Sequence, residues 1–285
     1  MINIYNRKLH NPQFFRQFRC KESLITLYNC PLKDKFQDAW SHHSYIVYVV
    51  EGHKVWHTAQ GSYELNPGDC VFVRKGAAIL EQFFDGAFCL VMFFLPDDFI
   101  CEVLRSKSFP LYQPDKKYEA VIALYSDEPV NAFFNSMIAL FGSGLEPDPA
   151  LIEVKFREIV LTLAGNTRNA ELIAYFSALL QKPQEISLQM VMEDNYCFDL
   201  GLEDFAQLSN RSLSSFKRDF QKQFGCSPGK WLLEKRLDQA MHLLTHSDKT
   251  VTEAGFESGF GNRSHFSRAF RTRFGVTPRS RRVLA

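Results

Sequence analysis

The chain has 285 residues, 46% apolar and 14% aromatic, and a formal net charge of +1. That is enough apolar material for two packed domains and implies a soluble globular protein. No run approaches about 18 uninterrupted apolar residues. The N-terminus, with Arg7, Arg16 and Arg19, has no signal-peptide core, so membrane insertion and export are not expected and the protein is placed in the cytoplasm.

Between residue 23 and about residue 95 the apolar runs are short, β-branched or aromatic, and broken by turns: 24–28, 45–50, 54–57, 70–73, 79–84 and 88–94. This spacing predicts a sandwich or small barrel over about 20–95, cupin-like in outline. Glu51-Gly52 reads as a tight hairpin. Asn66-Pro67-Gly68-Asp69 reads as a turn in which Pro67 presets φ and Gly68 takes the positive φ after it. Tyr45, Tyr48, Trp56, Tyr63 and Phe72 are candidates to line an effector pocket, against the plainer reading that they only pack. A metal-binding cupin needs histidines on one strand and another after the Pro-Gly turn. His42 and His43 are adjacent, which in a strand sends them to opposite faces, and residues 71–84 hold no histidine. No metal, cofactor or catalytic residue is expected, which leaves a cupin-type enzyme with a helical appendage as a remote rival. The seven cysteines are scattered and never spaced Cys-x-x-Cys, so they are expected to be reduced and structural.

After Pro96 the period becomes helical, first over 97–104, then, beyond an irregular stretch, in three amphipathic runs at 128–141, 148–164 and 169–180. Gly-Ser-Gly at 142–144, Pro147, Pro149 and Gly165-Asn166 break them as short turns between antiparallel helices would. Apolar and charged residues alternate in the middle run, which suits a helix that docks on a second copy or covers the barrel. Lys182-Pro183-Gln184-Glu185 marks the domain boundary, giving a regulatory and dimerisation domain at 1–182 and a second domain at 187–285.

From Ser187 onward no strand is expected. Helices are predicted at 188–195, 201–208, 212–224, 228–245, 251–258 and 262–274, with a short one after Thr277. Ser212, Ser227-Pro228 and Thr277-Pro278 serve as caps. The two parts differ in charge: residues 1–186 carry 18 Lys+Arg against 21 Asp+Glu, net −3, and residues 187–285 carry 15 against 11, net +4. Seven arginines and no acidic residue fall within 263–282, a basic block suited to phosphates.

One pattern occurs twice in this second domain. Ala206 and Gly255 are each followed four positions on by a residue that tolerates a left-handed turn, Asn210 and Gly259, and then by a polar helix start. Leu213, Phe216, Phe220 and Phe224 make one apolar stripe, leaving Ser214, Lys217, Arg218 and Gln221 outward. Phe266, Phe270 and Phe274 make the other, leaving Arg263, Ser264, Ser267, Arg268 and Arg271 outward. A single basic helix face is usually only solvated, but two helix-turn-helix layouts in tandem point to DNA, where arginine takes guanine O6 and N7 together and hydroxyls serve bases or phosphates. The helix at 228–245 between them spans about 27 Å at roughly 1.5 Å per residue, enough to set the two recognition helices in successive major grooves.

Residues 187–280 resemble the DNA-binding domain of AraC/XylS-type bacterial transcription regulators. The resemblance rests on Ala206, Phe216-Lys-Arg-Asp-Phe220, Phe224-Gly225-Cys-Ser-Pro228, Trp231-Leu-Leu-Glu-Lys-Arg236-Leu237, Ala240, Leu243-Leu244, Gly259-Phe260, Ser264-His-Phe266-Ser-Arg-Ala-Phe270 and Arg273-Phe-Gly275-Val-Thr-Pro278. It implies an α+β protein: a cupin-like β-barrel with dimerisation helices, then an all-α domain with two helix-turn-helix motifs joined by a long helix. It also implies a regulator, expected to be an activator, with promoter DNA, RNA polymerase and a second copy as partners. The N-terminal domain would answer to a small effector or, alternatively, to a partner protein. Asn210 stands where Gly is common. Gly255 stands where Ala is expected, at a cost of roughly 0.5–1 kcal/mol inside a helix, which predicts a looser second motif.

Overall fold

The β-branched and aromatic runs form strands in the computed structural model, which describes residues 1–12, 15–29, 34–83, 86–105, 118–181 and 185–283. The chain divides into two compact units, Ile2–Ile186 and Ser187–Ala285. The expected boundary residues Lys182, Pro183 and Gln184, and Cys30 among the cysteines, lie outside the described residues.

In the first unit the elements run β1 (Ile2–Asn3), α1 (Ile4–Leu9), β2 (Arg16–Cys20), β3 (Ser23–Asn29), β4 (Phe36–Ser41), β5 (Ser44–Glu51), β6 (Lys54–His57), β7 (Ser62–Leu65), β8 (Cys70–Val73), β9 (Gly76–Gln82) and β10 (Cys89–Leu95). They continue with α2 (Asp97–Arg105), β11 (Val121–Leu124), α3 (Glu128–Gly142), α4 (Pro149–Gly165) and α5 (Ala170–Gln181). The strands make two sheets, five strands in the order β1-β4-β9-β6-β7 and six in the order β11-β8-β5-β10-β3-β2. They enclose one core, to which Tyr45, Val47 and Val49 of β5, Trp56 of β6, Leu80 of β9 and Met92 and Phe94 of β10 contribute.

The expected hairpin at Glu51-Gly52 is not formed. β5 pairs with β8 and β10, whereas β6 pairs with β7 and β9 in the other sheet, so the turn carries the chain from one sheet to the other. Gly52 has φ +75, and a Cβ there would lie 2.5 Å from the Ala87 carbonyl oxygen, so the residue answers to a close backbone approach as well as to its turn. The hairpin falls one strand later, between β6 and β7. The Asn66–Asp69 turn is as expected: Gly68 has φ +89, and the Asp69 amide donates to the Asn66 carbonyl at 3.0 Å.

The outer face of the six-stranded sheet is covered by helices. Phe93 lies 5.4 Å from Phe133, 5.8 Å from Phe134 and 5.8 Å from Phe156, while Phe72 lies 5.5 Å from Tyr175 and 5.6 Å from Phe176. β5 and β10 are therefore buried on both faces, which is why they read as continuous apolar runs rather than as an alternation. α4 thus covers the sheet, and it still leaves Leu151 42% and Val154 57% exposed. His42 and His43 sit in the bend between β4 and β5, not in a strand, and their rings face one another at 4.2 Å. The six described cysteines are free thiols. No group of three or more His, Cys, Asp or Glu among the described residues could hold a metal, and no described helix is long and apolar enough to cross a membrane.

The second unit is helical: α6 (Glu185–Asn195), which begins two residues before it, α7 (Leu202–Leu208), α8 (Leu213–Phe224), α9 (Pro228–His246), α10 (Val251–Glu257), α11 (Arg263–Phe274) and α12 (Pro278–Val283). α9 serves both motifs. Its first turn places Trp231 6.0 Å from Phe220, and Leu237, Ala240 and Leu244 join Ala254, Phe260, Phe266 and Phe270 in one buried cluster.

Candidate nucleic-acid interface

The two helical pairs close with the same hydrogen bonds. Asn210 donates its amide to the Gln207 carbonyl and Arg211 to Ala206, both at 2.9 Å; Gly259 donates to Phe256 at 2.9 Å and Phe260 to Gly255 at 3.0 Å. Such a left-handed closure needs positive φ, which Asn210 (54°) and Gly259 (86°) supply. The turns differ in length, however. α8 begins at Leu213, five residues after α7 ends, and α11 begins at Arg263, six after α10 ends.

Both recognition helices are capped alike. Ser212 accepts from the Ser215 amide and Asn262 from that of His265, while Gly225 (φ 69°) and Gly275 (φ 73°) end them in the left-handed region. Gly255 has a packing reason. A Cβ there would stand 2.9 Å from Phe266 Cδ1, so the glycine lets the ring of α11 lie against the backbone of α10. The expectation of a looser helix considered propensity alone; the close approach accounts for the residue instead.

The phenylalanine stripes are interior, with Phe216, Phe220, Phe266 and Phe270 each 1% exposed or less. On the opposite faces Ser214, Lys217, Arg218 and Gln221 of α8, and Arg263, Ser264, Arg268 and Arg271 of α11, are exposed, with Ser267 half-buried. Arg218 does not dangle. Its Nε donates to Asp219 Oδ1 and its Nη2 to Ser215 Oγ, each at 3.2 Å, while Arg211 Nε donates to Asp219 Oδ2 at 3.2 Å. Desolvation raises the Asp219 pKa, but the bonds from Arg218, Arg211 and Ser215 outweigh it and hold the carboxyl below its usual range. On α11, Ser267, Arg268 and Arg271 line a surface groove together with Thr272 and Thr277. Those two threonines were not among the sequence candidates. Thr277 was legible only as a cap, the role in which it accepts from the Ser280 amide at 3.2 Å.

The five aromatic candidates of the first unit are not brought together. Tyr45 and Trp56 share a cavity between the sheets, where Trp56 Nε1 donates to Tyr45 Oη at 3.3 Å. Tyr48 and Phe72 face the helices instead: Tyr48 stacks on Phe134 at 4.3 Å and donates to Asn131, and Phe72 packs on α5. Tyr63 donates its hydroxyl to the Glu119 carboxylate at the sheet edge. The cavity is completed by residues the sequence did not single out, chiefly Arg7 and Lys8 of α1, Gln37 and Lys54. Lys8 Nζ sits 3.5 Å from the Tyr28 ring centre and Lys54 Nζ 4.2 Å from that of Phe88, a geometry that offsets part of the cost of burying each ammonium. α1 gave no signal of its own in the sequence, and without it the cationic wall could not be read.

Comparison with known proteins agrees with this organisation. Residues 44–175 match the family described as ExsA N-terminal regulatory domain, and residues 205–282 match the helix-turn-helix domain family. The chain is 26% identical over 238 residues to the virulence regulon transcriptional activator VirF of Yersinia enterocolitica, covering 82% of this chain and 87% of that one. It is 27% identical over 248 residues to the HTH-type transcriptional regulator ExsA of Pseudomonas aeruginosa, covering 78% and 89%. Over 88 residues it is 39% identical to the HTH-type transcriptional activator RhaS of Klebsiella pneumoniae, covering 31% and 32%. With two matched regions and two closed helical pairs flanking α9, this chain belongs to the AraC/XylS-type family of DNA-binding transcription regulators.

Proposed function

We propose that this protein activates transcription by laying α8 and α11 in successive major grooves of promoter DNA. Ser214, Lys217, Arg218 and Gln221 would read from the first helix and Arg263, Ser264, Ser267, Arg268 and Arg271 from the second. The observation that carries the reading is the pair of equally capped 12-residue helices with exposed basic faces, joined by the 19-residue α9. α9 spans about 28 Å at roughly 1.5 Å per residue, of the order of one DNA turn of about 34 Å once the flanking motifs are added. The relatives named as activators support the positive sign, which makes RNA polymerase the partner at the promoter.

Two further elements of the reading concern the first unit. The exposed pair Leu151 and Val154 on α4 supports docking of a second copy through that helix. The cavity supports a small effector, and its chemistry narrows the class. Arg7, Lys8, Lys54, Gln37 and Tyr45 line it with donors, which suits an effector that presents acceptors. The reading as a whole is tested by mapping bound sites across the genome and titrating the recovered fragments against salt. A recurring bipartite site, preferred over competitor DNA and weakening steeply with salt, is expected. Equal affinity for competitor DNA would remove it.

A further inference from the structure

Beyond the reading just given, on which it rests, we propose that Arg236 is a positioning residue. It sets the spacing between the two DNA half-sites by clamping the segment that leads into the first motif against the turn of the second. Arg236 lies within α9, facing neither recognition surface. Its Nε donates to the Tyr196 carbonyl at 2.7 Å and its Nη2 to the Phe198 carbonyl at 2.6 Å. Both acceptors belong to the link between α6 and α7.

The second motif closes on the same point. A Cβ on Gly259 would stand 2.8 Å from Arg236 Nε, 2.9 Å from the Tyr196 oxygen and 3.0 Å from the Cys197 carbonyl carbon. Only a glycine, at φ +86, lets the turn come this near. Two positions further on, a Cβ on Gly261 would meet Asp199 Oδ2 at 2.8 Å. Gly261 falls in the longer of the two turns, so the additional residue lies where the second motif reaches the lead segment of the first.

The consequence is mechanical. Packing on α9 sets the axial distance between the two motifs, and each can still pivot only as far as that packing yields. The approach of Gly259 to Tyr196 and Cys197 and of Gly261 to Asp199, beside the two carbonyls held by Arg236, adds a second connection and closes a ring. Removing pivot freedom determines where α11 meets DNA once α8 is seated, and one base pair corresponds to only about 3.4 Å along the duplex. The planar guanidinium can hold two carbonyls at once in fixed directions; a lysine ammonium in its place is a single, freely turning point.

The test is selection of bound duplexes from a randomised pool by the full chain, by Arg236→Lys and by Gly261→Ala, reading the distance between the two enriched blocks. The unaltered chain is expected to enrich two blocks at one spacing. Both variants are expected to keep the same two blocks while the spacing broadens by one base pair or more. A merely structural role would lower affinity and leave the spacing sharp, so sharp spacing in both variants overturns the proposal. Should Arg236→Lys bind no duplex, Gly261→Ala decides by the same readout. A single enriched block from the unaltered chain would instead overturn the two-groove reading beneath it.

Discussion

At the residue scale, opposing effects can be weighed at Gly255. Helix propensity favours Ala there by roughly 0.5–1 kcal/mol. The added Cβ would press on Phe266, which is 1% exposed and has nowhere to move, and overpacking of this kind costs about 1–3 kcal/mol. Gly255→Ala is therefore expected to destabilise the protein, read as a lower denaturant midpoint; a raised midpoint would show that propensity wins. The arginines pose a different question. Arg218→Ala and Arg268→Ala should each weaken promoter binding by about 1–3 kcal/mol if they contact bases, with footprints fading at opposite ends of the site. Unaltered affinity in both variants would strike them from the reading set.

At the scale of elements, the bend between β4 and β5 should make the first unit acid-sensitive. Burial, then His42 and then Lys75 push the His43 pKa down to about 3, against about 6.5 in an unfolded chain. Between those values the unfolded state holds the extra proton, so stability is complete above about pH 6.5 and falls as pH drops toward 3. Denaturant midpoints measured across this window should decline in the native chain and flatten in His43→Phe, which keeps the ring contact with Tyr5 at 4.8 Å. α4 offers a second element-scale outcome. Leu151→Glu with Val154→Glu places charge on two exposed apolar positions without touching the buried Phe156 face, and should turn a dimer into a monomer in sedimentation while leaving the unit folded. An unchanged sedimentation coefficient would remove α4 as the contact of the proposed dimer.

At the scale of the whole molecule, charge is divided so that DNA affinity resides in one part. Residues 187–285, net +4, should reproduce the salt slope of the full chain, since the same phosphates are neutralised. Loss of the proposed dimerisation through residues 1–186 should make overall binding weaker. A much shallower slope would assign phosphate contacts to the first unit, net −3 by its own composition.

The sequence was sufficient for the helices and motifs of the second unit because their signals are local. Ser212, Gly225, Ser227 and Thr277 cap within a few residues, and a Phe stripe declares which face is dry, so both motifs and the helix between them could be read directly. The first unit could not be read to the same depth. Strand partners are chosen across long stretches of chain: Glu51-Gly52 reads as a hairpin until β5 and β6 are seen in different sheets, and although alternation alone parts Tyr45 from Tyr48, that a helix covers the Tyr48 side of β5 is decided by packing. The cationic cavity and the Arg236 clamp are of this second kind. Each brings together groups far apart in the chain, Lys8 with Lys54 and Tyr196 with Gly259, and packing alone decides that they meet.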